Sequence, residues 1–348
     1  MNHKKNKSLA EIYNKHDRAE NNLHKQVIKS LQEKGLYPSK FTMPIALQLE
    51  LTAKCNVECL HCYNDSYGSH SADAMTADKW KDFCRYIVSK GGVFECVISG
   101  GEPLLLGDSL FDIMDILHDD GTFFLLITNG YLLDKDKVKR LKKYSYKWLQ
   151  VSIDGADAEY HDYFRQRKGS WEKAVQGAFM VSSAGIPLTI AHSVSPQNLS
   201  KIDDMCKLAY EVGAGSIIIS EIMPSGRTFK HEDLLLSDEQ REFMYEKVEE
   251  NTERYKGLML IQRSFDIHIQ HEKHIGIPLH GLIVRPNGDM RLDCMLPFTV
   301  GNILDDDFYT IWNNKTDKFW EKEIVKKYMD SCGGNIIKNY VDPDVYIG

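Results

Sequence analysis

The chain has 348 residues, 43% hydrophobic and 27% charged, with a net charge of −7 and a pI near 6.0. That length suits one large domain with a smaller appendage, and the acidic balance excludes the basic footprint of a nucleic-acid binder. No apolar run reaches the ~18 residues needed to span a bilayer, and the start, MNHKKNKSLAEIY, lacks the apolar stretch of a signal peptide. The expectation is a cytoplasmic protein with neither nucleic acid nor membrane as partner, whose clustered cysteines are ligands or catalysts rather than disulfides.

Residues 1–43 form a predicted helical arm. Up to residue 40 it carries nine Lys/Arg against four Asp/Glu. Leu23, Val27, Ile28 and Leu31 recur at helical spacing, and Gly35 offers a stop. The apolar spacing predicts a helix packed on the main domain. The charge offers a docking arm for an acidic partner instead.

Between 44 and 235, six strand-like runs alternate with amphipathic stretches. The runs are IALQLEL, VFECVIS, FFLLITN, WLQVSID, PLTIAHS and SIIISEI; helical patterns fall over 77–89, 134–143, 171–184 and 200–212. Such alternation predicts an α/β fold with a parallel sheet, open or curled, and helices outside. Chemistry is then expected in the loops that leave the C-terminal strand ends. Residues 236–348 read as a small α+β C-terminal extension. It holds a polar helix over 238–255, the histidine-rich HIQHEKHIGIPLH, and a hairpin, GLIVRPNGDMRLDC, that turns at Asn287-Gly288.

The first of the strand-end loops holds CNVECLHCY, with Cys55, Cys59 and Cys62 at C-x3-C-x2-C spacing. A structural zinc site wants four ligands, and His61, immediately beside Cys62, is poorly placed to be the fourth. Electron-carrying iron–sulfur clusters are likewise held by four cysteines. Three thiolates on a four-iron cube leave one iron open, and an open position is what a catalytic metal needs. The second strand ends in SGGEP, where glycines permit close backbone approach and a carboxylate can hold an ammonium group.

Together these motifs resemble those of the radical S-adenosylmethionine (SAM) superfamily, in chain order and in matching loops over residues 44–225. The resemblance implies a partial (β/α)6 TIM-like barrel. It implies a 4Fe-4S cluster on Cys55, Cys59 and Cys62, with Tyr63 completing the signature. The SAM amino group falls to Gly100, Gly101 and Glu102. Asn129, Ser152 and Asp154 are offered for the ribose or methionine part, and Arg165, in DYFRQRKGSWEKA, for the SAM carboxylate. One electron from a flavodoxin- or ferredoxin-type reductant would cleave SAM to a 5′-deoxyadenosyl radical, which abstracts a substrate hydrogen.

The stretch from Gly281 to Trp312 resembles the SPASM or twitch extension of peptide-modifying members, with its hairpin, following cysteine, GNI and IW. Full versions carry auxiliary clusters. Here only Cys294 and Cys332 remain in the region, with His271, His274 and His280 as substitutes and Cys206 as a distant one. An auxiliary Fe-S cluster, a cluster-free extension that shapes the substrate pocket, and a hydrogen-donating Cys294 all stay open. Cys84 and Cys96 read as buried core thiols. The leading expectation is maturation of a ribosomal peptide by cross-linking or epimerisation. A radical SAM enzyme acting on a sugar, nucleoside or other small molecule is the alternative. A non-enzymatic iron–sulfur or zinc sensor is disfavoured by the GGEP loop.

Overall fold

A computed structural model describes residues 8–66, 73–223, 225–264, 267–294, 296–316, 318–332 and 345–347. Eleven strands form one sheet among these residues: β1 (Ala46–Glu50), β2 (Glu95–Ser99), β3 (Phe123–Thr128), β4 (Tyr146–Ser152), β5 (Leu188–Val194), β6 (Ser216–Glu221), β7 (Leu260–Arg263), β8 (Gly281–Val284), β9 (Asp289–Arg291), β10 (Phe298–Asn302) and β11 (Val345–Tyr346). Their order is β11-β10-β9-β8-β1-β2-β3-β4-β5-β6-β7. All six expected strands appear, mutually parallel, with β7 added in parallel beyond β6 and β8 in parallel beyond β1. The result is a partial barrel that the hairpin of the extension prolongs.

Period-two patterning decides which face looks where. Leu47, Leu49, Cys96, Ile98, Phe124, Leu126, Leu149, Val151, Ile190, Ile217 and Ile219 are buried with helix residues such as Trp80, Ile87, Leu110 and Ala178 in a single core. The intervening Gln48, Gln150, Ser152, Ser193 and Ser220 keep partial exposure. With Val97, Ile127 and Ile218 among them, these make the concave face a mixture of polar and branched side chains. Helix bounds follow the caps. Thr76 accepts from Lys79 N–H and opens Ala77–Ser89 at the expected residues. Asp134, expected inside its helix, stands just before Lys135–Leu141 because its carboxylate caps the Lys137 N–H. Cys84, Cys96 and Cys206 lie in the core at 1%, 0% and 0% exposure.

The hairpin turns where expected. Gly288, at φ +91°, donates its N–H to Arg285 O, and Asn302 of the GNI motif bonds both Asn287 O and Asp289 Oδ1 across it. β8 runs in register with β1, Ala46 opposite Gly281 and Leu49 opposite Val284. No helix among the described residues is long and apolar enough to cross a membrane.

The N-terminal helix, Leu9–Glu33, docks differently from its apolar spacing. Ile28 is buried, but Leu23 and Val27 are 62% and 50% exposed. Polar contacts hold it instead. Asp17, 3% exposed, takes two bonds of 2.7 and 2.8 Å from Arg263 Nη2 at the end of β7, and the Tyr13 ring lies 4.1 Å from that guanidinium. Asn21 and Lys25 reach the carbonyls of Ile269 and Glu272. Farther on, Tyr37 Oη meets His280 Nε2 at 2.7 Å, just before β8. The arm therefore runs from the end of β7 to the start of β8. Removing the buried carboxylate should cost about 3 kcal/mol at this contact. In Asp17→Ala, amide exchange over residues 9–33 is expected to accelerate more than in the barrel strands; unchanged exchange there would show that the pair does not pin the arm.

Candidate functional site

The loop that leaves β1 is fixed at its start. Asp73 accepts from Thr52 Oγ1 at 2.5 Å and from Ala53 N–H at 2.8 Å, and Leu51 N–H bonds Ser99 O. Its middle is strung on the segment after β4, with Glu58 N–H on Arg165 O and Leu60 N–H on Phe164 O. Between these anchors sit Cys55, Cys59 and Cys62, all free, with Cys59 buried and the others half-buried. Burial pushes the Cys55 thiol up to about 11 and the Cys59 thiol to about 12, the latter against the pull of the Arg165 charge. Two sulfurs receive N–H groups: Asn129 Nδ2 stands 3.7 Å from Cys55 Sγ, and Ser66 N–H donates to Cys62 Sγ at 3.3 Å.

SGGEP packs directly on this loop. Gly101 N–H donates to Thr52 O and Glu102 N–H to Lys54 O. A Cβ on Gly101 would stand 2.2 Å from Lys54 O, and one on Gly100, at φ +138°, 2.6 Å from Thr52 O. The close approach these glycines permit is thus made to the cysteine loop itself. Glu102 is 0% exposed. Its Oε1 accepts from Leu104 N–H and Thr128 Oγ1, its Oε2 from Asn129 N–H. A carboxylate offers about four acceptor positions, so one on Oε2 remains for a ligand ammonium group. Burial lifts its pKa to about 7, against the pull of those three donors.

Asp154 is 0% exposed and committed within the protein. Its Oδ2 accepts from Arg165 Nε and Nη2 at 2.8 and 2.6 Å, its Oδ1 from Ser193 N–H at 2.8 Å. Burial pushes its carboxyl up, but the Arg165 guanidinium and the other polar neighbours together outweigh this and hold it well below the usual range. Arg165 Nη1 makes no hydrogen bond among the described residues. Asp154 therefore aims Arg165, while Ser152, half-buried at the end of β4, faces the concave side. His61 stacks on Phe164 at 4.2 Å, and burial keeps it neutral with a pKa of about 4.

Toward the extension, Tyr63 Oη donates to Glu50 Oε1 at 3.2 Å, and Glu50, 2% exposed, has Arg285 Nε 3.5 Å from its other oxygen. Burial raises the Tyr63 phenol, and the charge of Glu50 adds to it. Burial likewise pushes the Cys294 thiol far up. Of the histidines proposed as substitute ligands, two are paired with other side chains and the third is stacked. His271 meets Asp293 at 3.2 Å and Met329 Sδ at 3.0 Å, His274 stacks on Trp320 at 5.0 Å, and His280 is bonded to Tyr37. Cys206 sits in the core. The side chain of Cys332 lies outside the described residues.

The donor set fits a cube better than a single ion. Among the described residues, only His16, Asp17 and Glu20 bring three ligand atoms within 4.8 Å of one another. One zinc would need its thiolates gathered that closely; thiolates on separate irons stand farther apart. Sequence reading missed Glu50, Asp73 and Arg227, whose guanidinium bonds Cys59 O and Asp65. For Arg227 a signal was present: SGRT follows the sixth strand at the same face.

The Radical SAM superfamily profile matches residues 49–209. An AdoMet-dependent heme synthase of Methanosarcina barkeri is 33% identical over 310 residues, covering 83% of this chain and 88% of that one. The antilisterial bacteriocin subtilosin biosynthesis protein AlbA of Bacillus subtilis is 27% identical over 304 residues, covering 84% and 65%. Among solved structures, Streptococcus suis SuiB bound to S-adenosylmethionine superposes with a TM-score of 0.65 at 15% identity, covering 92% of this chain and 78% of that one. With its motifs, fold and relatives in agreement, the chain belongs to the radical SAM superfamily, an enzyme whose cofactors are a 4Fe-4S cluster and S-adenosylmethionine.

Proposed function

We propose that this enzyme modifies a ribosomally made peptide, most simply by inverting a residue's Cα. Cys55, Cys59 and Cys62 hold the cluster, Glu102 receives the SAM ammonium at its remaining acceptor position, and Arg165, aimed by Asp154, offers Nη1 to the SAM carboxylate. When bound, cluster and SAM supply a 5′-deoxyadenosyl radical that removes a substrate hydrogen. A flavodoxin- or ferredoxin-type protein supplies the electron. Asn129, through its bonds to Cys55 and the Glu102 contact, ties cluster and SAM sites together. Ser152 stands beside them on the concave face.

The observation that carries the peptide reading is Cys294. Its half-buried thiol is held protonated by desolvation, and two of the candidate histidines are already paired, His271 with Asp293 and His280 with Tyr37. A neutral S–H can pass its hydrogen atom to a carbon radical on the face opposite the abstraction. The thiyl left behind takes one electron from the external donor and one proton from solvent. A second reading has its own support: the 33% identity to a heme synthase over 88% of that protein favours a tetrapyrrole-sized small molecule. An oxidative loss of a carboxyl group, as CO2 with one electron passed to an external acceptor, would need no hydrogen return.

Reaction of the purified, reconstituted enzyme in heavy water with the short peptides encoded beside the gene separates the two. Inversion through Cys294 gives a peptide one mass unit heavier, and Cys294→Ala a deuterium-free product. Unmodified peptides, with 5′-deoxyadenosine release stimulated by a porphyrin, would establish the second reading. Cys59→Ala is expected to abolish 5′-deoxyadenosine release with unchanged circular dichroism, because the core does not include the cluster. Release at the wild-type rate would remove these cysteines from the site. Glu102 must be ionised to hold an ammonium group, and its pKa of about 7 sets the window. Calorimetric SAM affinity should therefore fall about tenfold per pH unit below 7. Glu102→Gln should weaken SAM binding and flatten that dependence while retaining iron; an unaltered affinity would undo the assignment of the GGEP loop.

A further inference from the structure

The segment after β6 is built onto the second half of the cysteine loop. Gly226 adopts φ +57°, and a Cβ there would stand 2.3 Å from Tyr63 O and 2.4 Å from Cys62 O. Glycine is required twice over, by its left-handed backbone and by that approach. The next residue, Arg227, is 7% exposed. Its backbone N–H donates to Cys62 O at 2.9 Å. Its guanidinium donates from Nη1 to Cys59 O at 2.6 Å, from Nε to Asp65 Oδ1 at 2.9 Å, and from Nη2 to Ser66 O. One planar fork thus spans residues 59 to 66.

What it holds matters for the sulfur. Asp65 stands at φ +46° without being glycine, a conformation that persists only where surroundings enforce it. Arg227 supplies that enforcement through the Asp65 carboxylate on one side and the Ser66 carbonyl on the other. The turn so fixed presents the Ser66 N–H to Cys62 Sγ at 3.3 Å. Hydrogen bonds to cluster sulfurs are among the determinants of reduction potential: a donor stabilises the more negative, reduced state. Merely filling core space would ask for none of this, since an apolar side chain of similar length would serve.

We propose that Arg227 is a positioning residue that preforms residues 59–66 for the cluster and, by fixing Ser66, delivers the N–H that raises the cluster's potential. The proposal rests on the reading that Cys55, Cys59 and Cys62 hold that cluster. The test uses the full chain, reconstituted without oxygen, with iron loss to a chelator timed and the midpoint potential followed by electron paramagnetic resonance. Arg227→Met, close in volume, is expected to fold by circular dichroism, to lose iron about 10–100-fold faster, and to show a lower potential. Arg227→Lys keeps the charge without the fork and should recover only part of either loss. Gly226→Ala leaves Arg227 in the chain but pushes it off the loop, so it should reproduce the faster iron loss; with Arg227→Lys it carries the test if the Met variant does not fold. Iron retention and potential both unchanged in Arg227→Met would overturn the proposal. A Cys55/Cys59/Cys62→Ala variant that keeps its iron would instead strike down the reading beneath it, which the wild-type control tells apart.

Discussion

The site depends on one contact between two loops: the SGGEP backbone lying on residues 52–54. Side chains are excluded there, because any Cβ at Gly100 or Gly101 would enter the Thr52 or Lys54 carbonyl. The contact places a buried carboxylate one residue's reach from the Cys55 thiol. Glu102 follows immediately, and its acceptor bond from Asn129 N–H brings in the residue whose amide meets Cys55. The cysteine loop and the GGEP loop are thus two halves of one hydrogen-bonded unit. A shift of either loop would move both.

Around that unit the protein manages charge by pairing it. Asp154 and Arg165 are both nearly inaccessible, a costly arrangement unless geometry and further hydrogen bonds compensate. Here Ser193 N–H satisfies the second carboxylate oxygen, and neutral imidazoles fill the space nearby: His161 Nδ1 accepts the Asp154 N–H, and His61 stacks against Phe164. Burial keeps both rings uncharged with pKa values of about 4, so neither competes with Arg165 for Asp154. The positive charge is directed toward the sulfurs.

Much of this was legible in the residues. Six strand runs and the bounds of Ala77–Ser89 follow from periodicity and a Thr cap, and the cysteine spacing with its GGEP partner locates the chemistry. Side-chain commitments were not legible. Asp154 reads as a ligand contact until the fold shows its oxygens occupied by Arg165 and Ser193. The N-terminal helix reads as apolar docking, yet Leu23 and Val27 face solvent while Asp17, an ordinary surface residue type, is buried on Arg263. Glu50 and Arg285 come from opposite ends of the chain and meet only because β8 lies beside β1. Such pairings arise from tertiary placement, which local pattern does not encode.

The pairing of β8 with β1 has a further consequence. β1 carries the cysteine loop at its C-terminal end, and along its other side it would present a row of bare amides and carbonyls if the chain stopped after β6. Bare flanks of that kind recruit foreign strands. The extension therefore shields the strand that launches the cysteine loop, and trimming this enzyme to a minimal barrel would exchange a paired strand for a template for self-association.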